Sequence, residues 1–272
     1  MQRRPALSLG LAAIAAVTLT LAGCGSGESA PAGDTPGADD GYALIKDGTL
    51  TVCSDIPYPP FEFEDPSSEL GYSGFDIDLL SAIAAELDLD IAVQVSGFDG
   101  LQSGTVLVAG QCDMAASAMT ITDKRKANLD FSDPYYDSLQ SLLVRADSGI
   151  TGIGDLAGKN VGVQQGTTGE IYATEHAEGA NLTQYPSDGE LWPAIQAGQI
   201  DAILQDQPVN IEHERADSDY TIVEEYDTDE QYGFAFAKGE KDALREAINK
   251  ALAQLRDSGE YQKIYDKYFS AE

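Results

Sequence analysis

One short stretch occurs twice in the chain in closely similar form. Residues 109–117 read AGQCDMAAS, and residues 197–205 read AGQIDAILQ. In each copy a helical pattern ends at a glycine, and an aspartate then opens an apolar strand. A weaker second echo pairs the strand at 50–54, which ends at Asp55, with residues 160–163, which end at Gln164. Two units of the same construction in one chain predict two lobes of similar architecture.

The polar residues that follow the predicted strands indicate where a ligand binds. Strands that alternate with helices favour an α/β fold with mainly parallel sheets. Such sheets bind ligands beyond the carboxyl ends of their strands. The ends here are Asp55, residues 117–120, residues 164–168 and Gln205-Asp206. If the lobes face each other, these four ends meet in one cleft.

Apolar residues at helical spacing predict two further elements of the lobes. One helix spans Gly74 to Leu87, with Asp76 and Asp78 near its positive N-terminal end. The other spans Asp242 to Leu255 and carries one stripe of Leu244, Ile248, Leu252 and Leu255. We interpret this stripe as core packing.

Length and charge exclude some classes of protein. The 272 residues suit two lobes, and a hydrophobic content of 43% suffices for packed cores. The formal net charge is −30, from 46 acidic and 16 basic residues. A field of this sign repels nucleic acid, so we expect no nucleic-acid partner.

The N-terminus resembles a bacterial lipoprotein leader. Arg3 and Arg4 precede an apolar run from Ala6 to Leu21, which is short for a membrane span and typical of a signal peptide. The run ends in Leu-Ala-Gly-Cys24, which is similar to the lipobox whose cysteine is acylated. We therefore predict a signal peptide at 1–23, a lipid anchor at Cys24 and a flexible tether at 24–41. The alternative is an ordinary signal peptide with a chance cysteine.

Two more cysteines, Cys53 and Cys112, lie in predicted neighbouring strands. An exported chain permits a disulfide between them. The pairing requires Cα atoms within about 7 Å. A disulfide and two buried free thiols both remain open.

Six sequence motifs, in order, resemble one known family. They are DIPYPPFEF from Asp55, GFDIDL from Gly74, TITDKR from Thr120, DFSDPYY from Asp130, VGVQQGT from Val161 and DAILQD from Asp201. The chain is similar to the extracellular solute-binding proteins of family 3, which serve ABC transporters for polar amino acids. The resemblance implies a two-lobed periplasmic-binding fold of type II with a two-segment hinge. One lobe would contain residues 43–136 and 232–272, and the other residues 140–228.

The resemblance also assigns the residues that hold the α-groups of an amino acid. Arg125 would bind the carboxylate bidentately, and Asp206 from the other lobe would bind the ammonium. Arg125 follows Thr122-Asp123, which is a typical helix start. The alternatives are a surface salt bridge for Arg125 and a helix cap for Asp206.

Further contacts are implied around these two charges. Ser117, Ala118 and Thr120 would contact the ligand from the first lobe, and Thr167 and Thr168 would donate backbone N–H groups from a helix start.

The ligand's side chain has its own predicted partners. Tyr58 and Phe98 would enclose it, although both are also explicable as core aromatics. Asp55 would meet its distal end, and Gln164 would line the site at a position that varies among relatives, where an amide accepts several partners. With the α-groups paired, Asp55 leaves one negative charge over. This disfavours glutamate and aspartate, and it favours arginine, lysine, ornithine, histidine or glutamine.

These residues predict ligand capture by closure of the two lobes. A monomer anchored on the outer face of the cytoplasmic membrane, or in the periplasm of a cell with an outer membrane, would pass a free amino acid to a membrane permease, without cofactor or metal. Two other classes are considered: an enzyme resembling cyclohexadienyl dehydratase, and an extracellular sensor module. The two histidines, His176 and His213, form no recognisable catalytic constellation. A sensor needs a membrane helix and an inner domain, which the sequence after Tyr42 does not show.

Overall fold

The computed structural model of the chain describes residues 41–270. The strands in this range are β1 (Thr49–Ser54), β2 (Phe63–Glu64), β3 (Tyr72–Ser73), β4 (Asp90–Val95), β5 (Met114–Ala115), β6 (Leu129–Phe131), β7 (Tyr136–Arg145), β8 (Asn160–Gln164), β9 (Asn181–Tyr185), β10 (Ala202–Asp206), β11 (Tyr220–Tyr232) and β12 (Ala235–Ala237). The α-helices are α1 (Phe75–Glu86), α2 (Phe98–Gln102), α3 (Thr105–Val108), α4 (Asp123–Lys126), α5 (Thr168–His176), α6 (Asp188–Gln196), α7 (Gln207–Ala216), α8 (Asp242–Ser258) and α9 (Glu260–Phe269), and Ile153–Asp155 forms a 3-10 turn. The predicted signal peptide, Cys24 and nearly all of the tether lie outside the described residues.

Two five-stranded sheets organise the fold. The first has the order β4-β1-β5-β12-β6 and takes strands from both ends of the described range, whereas the second has the order β11-β7-β10-β8-β9 and comes from its middle. We call the first sheet with α1–α4, α8 and α9 the first lobe, and the second sheet with α5–α7 the second lobe. This is the two-lobed α/β architecture that the sequence predicts.

Both faces of each sheet are buried, because apolar side chains alternate along the central strands. In β7, Leu142 and Val144 belong to one apolar cluster and Leu143 to another on the opposite face. Leu204 and Ile203 of β10 divide in the same way. In the first lobe, the predicted stripe of α8 packs into the cluster that contains Leu50 of β1. Helices therefore cover both faces, and the polar strand ends are left to form the site.

The sheets are mixed, so the expectation of mainly parallel sheets is wrong. β1 pairs in parallel with β4 and β5, and β8 with β9 and β10. However, β7 runs antiparallel to β10 and β11, and β12 runs antiparallel to β5 and β6. The reason is that the chain enters the second sheet through β7 and leaves it through β11. The two segments lie side by side in opposite directions, with Tyr136 paired to Tyr232.

The internal repeat has the same contacts in both lobes. The backbone N–H of Asp113 donates to the carbonyl of Thr51 at 2.8 Å, and its carboxylate accepts the N–H of Thr51 at 2.9 Å. In the second lobe Asp201 makes the same pair of bonds to Asn160, at 2.7 and 2.8 Å. Each repeated aspartate thus ties its strand to the neighbouring strand that ends at Asp55 or Gln164.

A disulfide joins Cys53 near the end of β1 to Cys112 just before β5, with the Cα atoms 5.7 Å apart. Both side chains are buried, and the strands they flank are paired. Of the two states that the sequence leaves open, the structure has the disulfide. It fastens the two strand ends that carry Asp55 and Ser117 to the cavity.

Candidate functional site

The eleven residues that the sequence predicts for the site line a single cavity. The first lobe contributes Asp55, Tyr58, Phe98, Ser117, Ala118, Thr120 and Arg125, and the second contributes Gln164, Thr167, Thr168 and Asp206. The carboxyl ends of β1, β5, β8 and β10 form its walls, as strand order predicts for an α/β sheet.

Arg125 is a buried cation that makes hydrogen bonds to carbonyl groups of both lobes. It lies in α4, whose first turn is capped by the hydroxyl of Thr122, which accepts the Arg125 N–H at 3.2 Å. Its guanidinium donates to the carbonyl of Thr120 at 2.7 Å and to that of Gly166 at 3.0 Å. It also lies over the ring of Phe98, 5.1 Å from the centroid.

The charge of Arg125 has no paired anion within residues 41–270, where no carboxylate forms an ion pair with it. The side chain is only 4% exposed, which argues against the surface salt bridge. Burial lowers its pKa to about 10, and the nearby Asp206 and Glu230 oppose that shift. It therefore stays charged at neutral pH and can hold a ligand's carboxylate.

Asp206 is the buried anion of the opposite lobe. It stands at the N-cap position of α7, yet its side chain makes no cap hydrogen bond. Instead, its carboxylate accepts the hydroxyls of Tyr58 at 2.9 Å and Tyr232 at 2.6 Å, and the side-chain amide of Gln140. Burial raises its pKa to about 6, the charge of Glu230 raises it further, and these three donors oppose the rise. The structure therefore excludes a helix-capping role for the Asp206 side chain.

Asp55 and Gln164, which end the repeated strands, meet across the cleft. The Gln164 side-chain amide donates to Asp55 at 2.6 Å and to the carbonyl of Pro186 at 3.2 Å. Burial raises the pKa of Asp55 to about 7, and the charges of Glu190 and Asp188 add to the rise, while the Gln164 bond opposes it. A cationic group of a ligand beside Asp55 would lower this pKa and favour the ionised carboxylate.

Every hydroxyl group among the lining residues donates its proton to another protein group. Tyr58 donates to Asp206, Ser117 to Glu62, Thr120 and Thr168 to Glu230, and Thr167 to the carbonyl of Gln164, at 2.6 to 2.9 Å. A hydroxyl has one proton, so these oxygens can only accept from a ligand. With two carboxylates added, the cavity is rich in acceptors and suits a ligand with many N–H groups.

Thr167 and Ala118 have structural roles as well as positions on the cavity wall. The Thr167 hydroxyl caps α5 by accepting the N–H of Glu170 at 3.1 Å. Ala118 has φ 43°, a conformation that favours glycine, and its N–H donates to the carboxylate of Asp76 at 3.1 Å. The Ala118 N–H is therefore used within the protein and its carbonyl is the group left for a ligand, while the Thr167 N–H donates to the carbonyl of Gln164 at 3.4 Å.

Two buried acids behind the cavity do not figure among the predicted site residues. Glu62 accepts the hydroxyl of Ser117 at 2.7 Å, and Asp76 accepts the hydroxyl of Tyr135 at 2.7 Å. Both are fully buried, and each has one oxygen without a hydrogen-bond partner. Burial raises the pKa of Glu62 well above its usual value and that of Asp76 to about 7. Both residues lie in the motifs quoted above, and a carboxylate inside an apolar motif was the available signal.

A second missed group lies on the two crossing strands. Gln140 of β7 donates to both Asp206 and Glu230, and Tyr232 of β11 donates to Asp206. Glu230 itself accepts from Thr120 and Thr168. Gln140 lies mid-strand, and Glu230 and Tyr232 lie at the end of a long antiparallel strand that is not part of the repeat, so the repeated strand ends do not point to them. Among residues 41–270, no group of three or more His, Cys, Asp or Glu side chains is arranged to hold a metal ion.

The model of one family, bacterial extracellular solute-binding proteins, family 3, matches residues 50–271. The chain belongs to this family. The match includes both sheets of this solute-binding protein and every residue that lines its cavity.

Individual relatives agree with the family. The L-cystine-binding protein TcyJ of Escherichia coli is 31% identical over 240 residues, which are 86% of this chain and 88% of that protein. A solved ancestral arginine-binding protein bound to glutamine is 36% identical, with a TM-score of 0.77 over 83% of this chain and all of the other. A solved ancestral amino acid-binding protein, described as a precursor of cyclohexadienyl dehydratase, is also 36% identical, with a TM-score of 0.72 over 82% and 96% of the two chains.

None of the helices of this solute-binding protein within residues 41–270 is both long and apolar enough to cross a membrane.

Proposed function

We propose that this solute-binding protein captures a free amino acid between its lobes and delivers it to the permease of an ABC importer. The supporting observation is the buried guanidinium of Arg125 in the same cavity as the Asp206 carboxylate of the opposite lobe. A zwitterion supplies a carboxylate for the first and an ammonium for the second. The names of the relatives, which bind cystine, arginine or glutamine, agree with this class.

The proposed ligand is a basic amino acid (arginine, lysine, ornithine or histidine), with glutamine as the second candidate. Once the α-groups are paired, Asp55 is the remaining anion of the cavity wall. The five hydroxyl oxygens add acceptors, and Gln164 accepts or donates through its amide. A basic side chain satisfies both the charge and the acceptors, whereas the glutamine amide satisfies the acceptors alone.

We further propose that the chain crosses between the lobes at 135–139 and 229–233, where β7 and β11 pair, and that the lobes close on the ligand about these segments. The lobes then correspond to 43–136 with 232–272, and to 140–228. The protein acts as a monomer outside the cytoplasmic membrane. An acylated Cys24 would hold it near its permease and raise the frequency of encounter.

The proposal is that the protein binds its ligand without a chemical reaction. An enzyme on the same fold is the rival to that part of the proposal. A dehydratase has to supply an acid to a departing group. The cavity acids Asp55 and Asp206 already have partners, which suits holding a cation better than proton delivery. We propose no role as a sensor module.

A thermal-shift screen of the twenty amino acids with ornithine, citrulline and cystine tests the proposal, because a ligand that binds the folded state raises the Tm by mass action. We expect the largest rise from a basic amino acid, with calorimetry then giving a one-to-one complex. A rise with glutamine alone would support the second candidate. No rise with any of them, together with turnover of prephenate or arogenate, would contradict the transport function.

A further inference from the structure

Glu230 is a buried acid on a crossing strand, and the proposed function does not use it. It lies in β11, where the pairing with β7 shifts register between Tyr226 and Glu230. Asp229 has φ 54°, which marks an irregular turn of the strand at this point. The irregularity leaves Asp229 and Gln231 exposed and directs Glu230, which is 7% exposed, to the inside.

One carboxylate oxygen of Glu230 accepts hydrogen bonds from both lobes. Its Oε2 accepts the hydroxyl of Thr120 from the first lobe at 2.6 Å and the hydroxyl of Thr168 from the second at 2.7 Å. Its Oε1 accepts the amide of Gln140 at 3.0 Å and the hydroxyl of Thr228 at 2.9 Å. Both threonines line the cavity, so the carboxylate connects two walls from outside.

These bonds depend on how the lobes sit together. Thr120 follows β5 of the first sheet, and Thr168 begins α5 on the second, so a rotation of one lobe against the other moves the hydroxyls apart. Glu230 on the crossing strand then keeps at most one of them. Hydrogen bonds to a charged acceptor are roughly twice as strong as neutral ones, and burial strengthens them. A group that is satisfied only when the lobes are together favours the closed population.

We propose that Glu230 is a positioning residue that couples lobe closure to recognition of the ligand. It holds Thr120 and Thr168 together in the closed form, and it accepts the hydroxyl hydrogen bond of each, so that both hydroxyl oxygens are left to accept from the ligand. The second role rests on the proposed function, whereas the first holds for any ligand.

Ligand affinity tests the second role, with Glu225→Gln as the matched control because Glu225 is an exposed acid on the same strand. We expect E230Q to raise the Kd about tenfold for every amino acid that binds, with unchanged ratios between ligands, and E225Q to leave it within twofold. In a T120V/T168V background, E230Q should change the Kd less than twofold, because the groups it acts through are gone. An equal tenfold loss in that background, or no loss in the native one, would overturn the proposal.

The open–closed distribution without ligand tests the first role, and it stands even if no amino acid binds. Spin labels at V108C and E178C, exposed positions on the two lobes, would report the distance between them in a chain whose Cys24 is replaced by serine. We expect a short-distance population that E230Q reduces about tenfold and E225Q does not. If E230Q fails to fold, T168V, which removes one of the two donors, should give a reduction in the same direction. If the native chain lacks the short-distance population, or if the variants leave that population unchanged, the proposed role of Glu230 in holding the lobes closed is overturned.

Discussion

At the scale of single residues, the cavity separates its charges according to the two ends of an amino acid. Arg125 lies with Phe98 and the carbonyls of Thr120 and Gly166, whereas Asp206 lies among hydroxyl and amide donors. The hydrogen-bond partners of each charge within the protein are neutral groups. A ligand that brings the opposite charge therefore gains a full ion pair without displacing an existing one.

Replacing Arg125 with alanine should weaken binding of every amino acid at least about tenfold, because it removes a bidentate charged contact to the common carboxylate. Arg125→Lys should recover part of the loss, since the charge stays and the planar fork does not. Calorimetry on folded variants measures both. Arg215→Ala, at an exposed arginine paired with Glu212, is the control and should match the native protein. An unchanged affinity in Arg125→Ala would place this residue outside the binding site.

Replacing Asp55 with asparagine should act selectively. Its carboxylate is the one left unpaired by the α-groups, so the loss should be about tenfold or more for arginine and lysine and much smaller for glutamine. The measurement is the ratio of Kd values for basic and amide ligands, before and after the substitution. Asp147→Asn, at a surface acid paired with Arg145, should leave the ratio unchanged. Equal losses for all ligands would argue that Asp55 supports the fold of the site rather than the distal end of the ligand.

At the scale of secondary-structure elements, the repeat explains why so much of the site could be predicted. Strand ends are local features, since a glycine, an aspartate and an apolar run mark them in the sequence. They located Asp55, Ser117, Gln164 and Asp206 on one cavity. Pairing direction is not local, because it depends on β7 and β11 lying side by side although their starts are 84 residues apart.

The residues that sequence reasoning missed have non-local causes as well. Glu230 stands in an acidic run, EEYDTDE, which reads as a solvated surface. Only the irregularity at Asp229 turns its side chain inward. The sequence indicates Asp76 as a favourable charge at the start of α1, whereas in the structure its carboxylate accepts the Ala118 N–H and the Tyr135 hydroxyl.

At the same scale, removing the disulfide should lower stability and leave ligand binding nearly unchanged. Cys53 and Cys112 are 59 residues apart, so C53A/C112A should lower the free energy of unfolding by about 2–4 kcal/mol. The affinity should stay within about twofold, because Asp55 is still held by the Ser117 hydroxyl at its N–H. Urea unfolding and calorimetry measure the two effects. Two titratable thiols at these positions in denatured, unreduced native protein would contradict the bond itself.

At the scale of the whole molecule, the large excess of acidic residues affects the stability of the fold. The net charge of −30 repels itself, and salt weakens that repulsion. Four of the buried acids differ from the surface ones because burial raises their pKa: Asp55, Glu62, Asp76 and Asp206. Burial raises the pKa of each, and salt has little access to them.

The buried acids set how stability changes with pH. The folded pKa values of Asp55, Asp76 and Asp206 are about 7, 7 and 6, above the ordinary value of 3.8. Between pH 4 and 7 the folded protein therefore binds more protons than the unfolded chain. Stability must then fall as the pH rises through this window. The acids with lowered pKa values, Asp65, Asp130 and Asp155, act in the opposite direction, but only below about pH 4, where they lose their charge.

We expect the free energy of unfolding, measured with urea at high salt and without ligand, to be greater at pH 5 than at pH 8 by about 2 kcal/mol or more. High salt removes the surface repulsion that would give a slope of the same sign, so what remains belongs to the buried groups. Glu62 and Asp76 are main contributors, because each is fully buried with one carboxylate oxygen that has no hydrogen-bond partner, so ionisation leaves a buried charge incompletely satisfied. Glu62→Gln removes one of these ionisations and should flatten part of the slope, while exposed Glu86→Gln should not. A native protein whose stability is level or rises from pH 5 to pH 8 would mean that these acids stay ionised inside the fold.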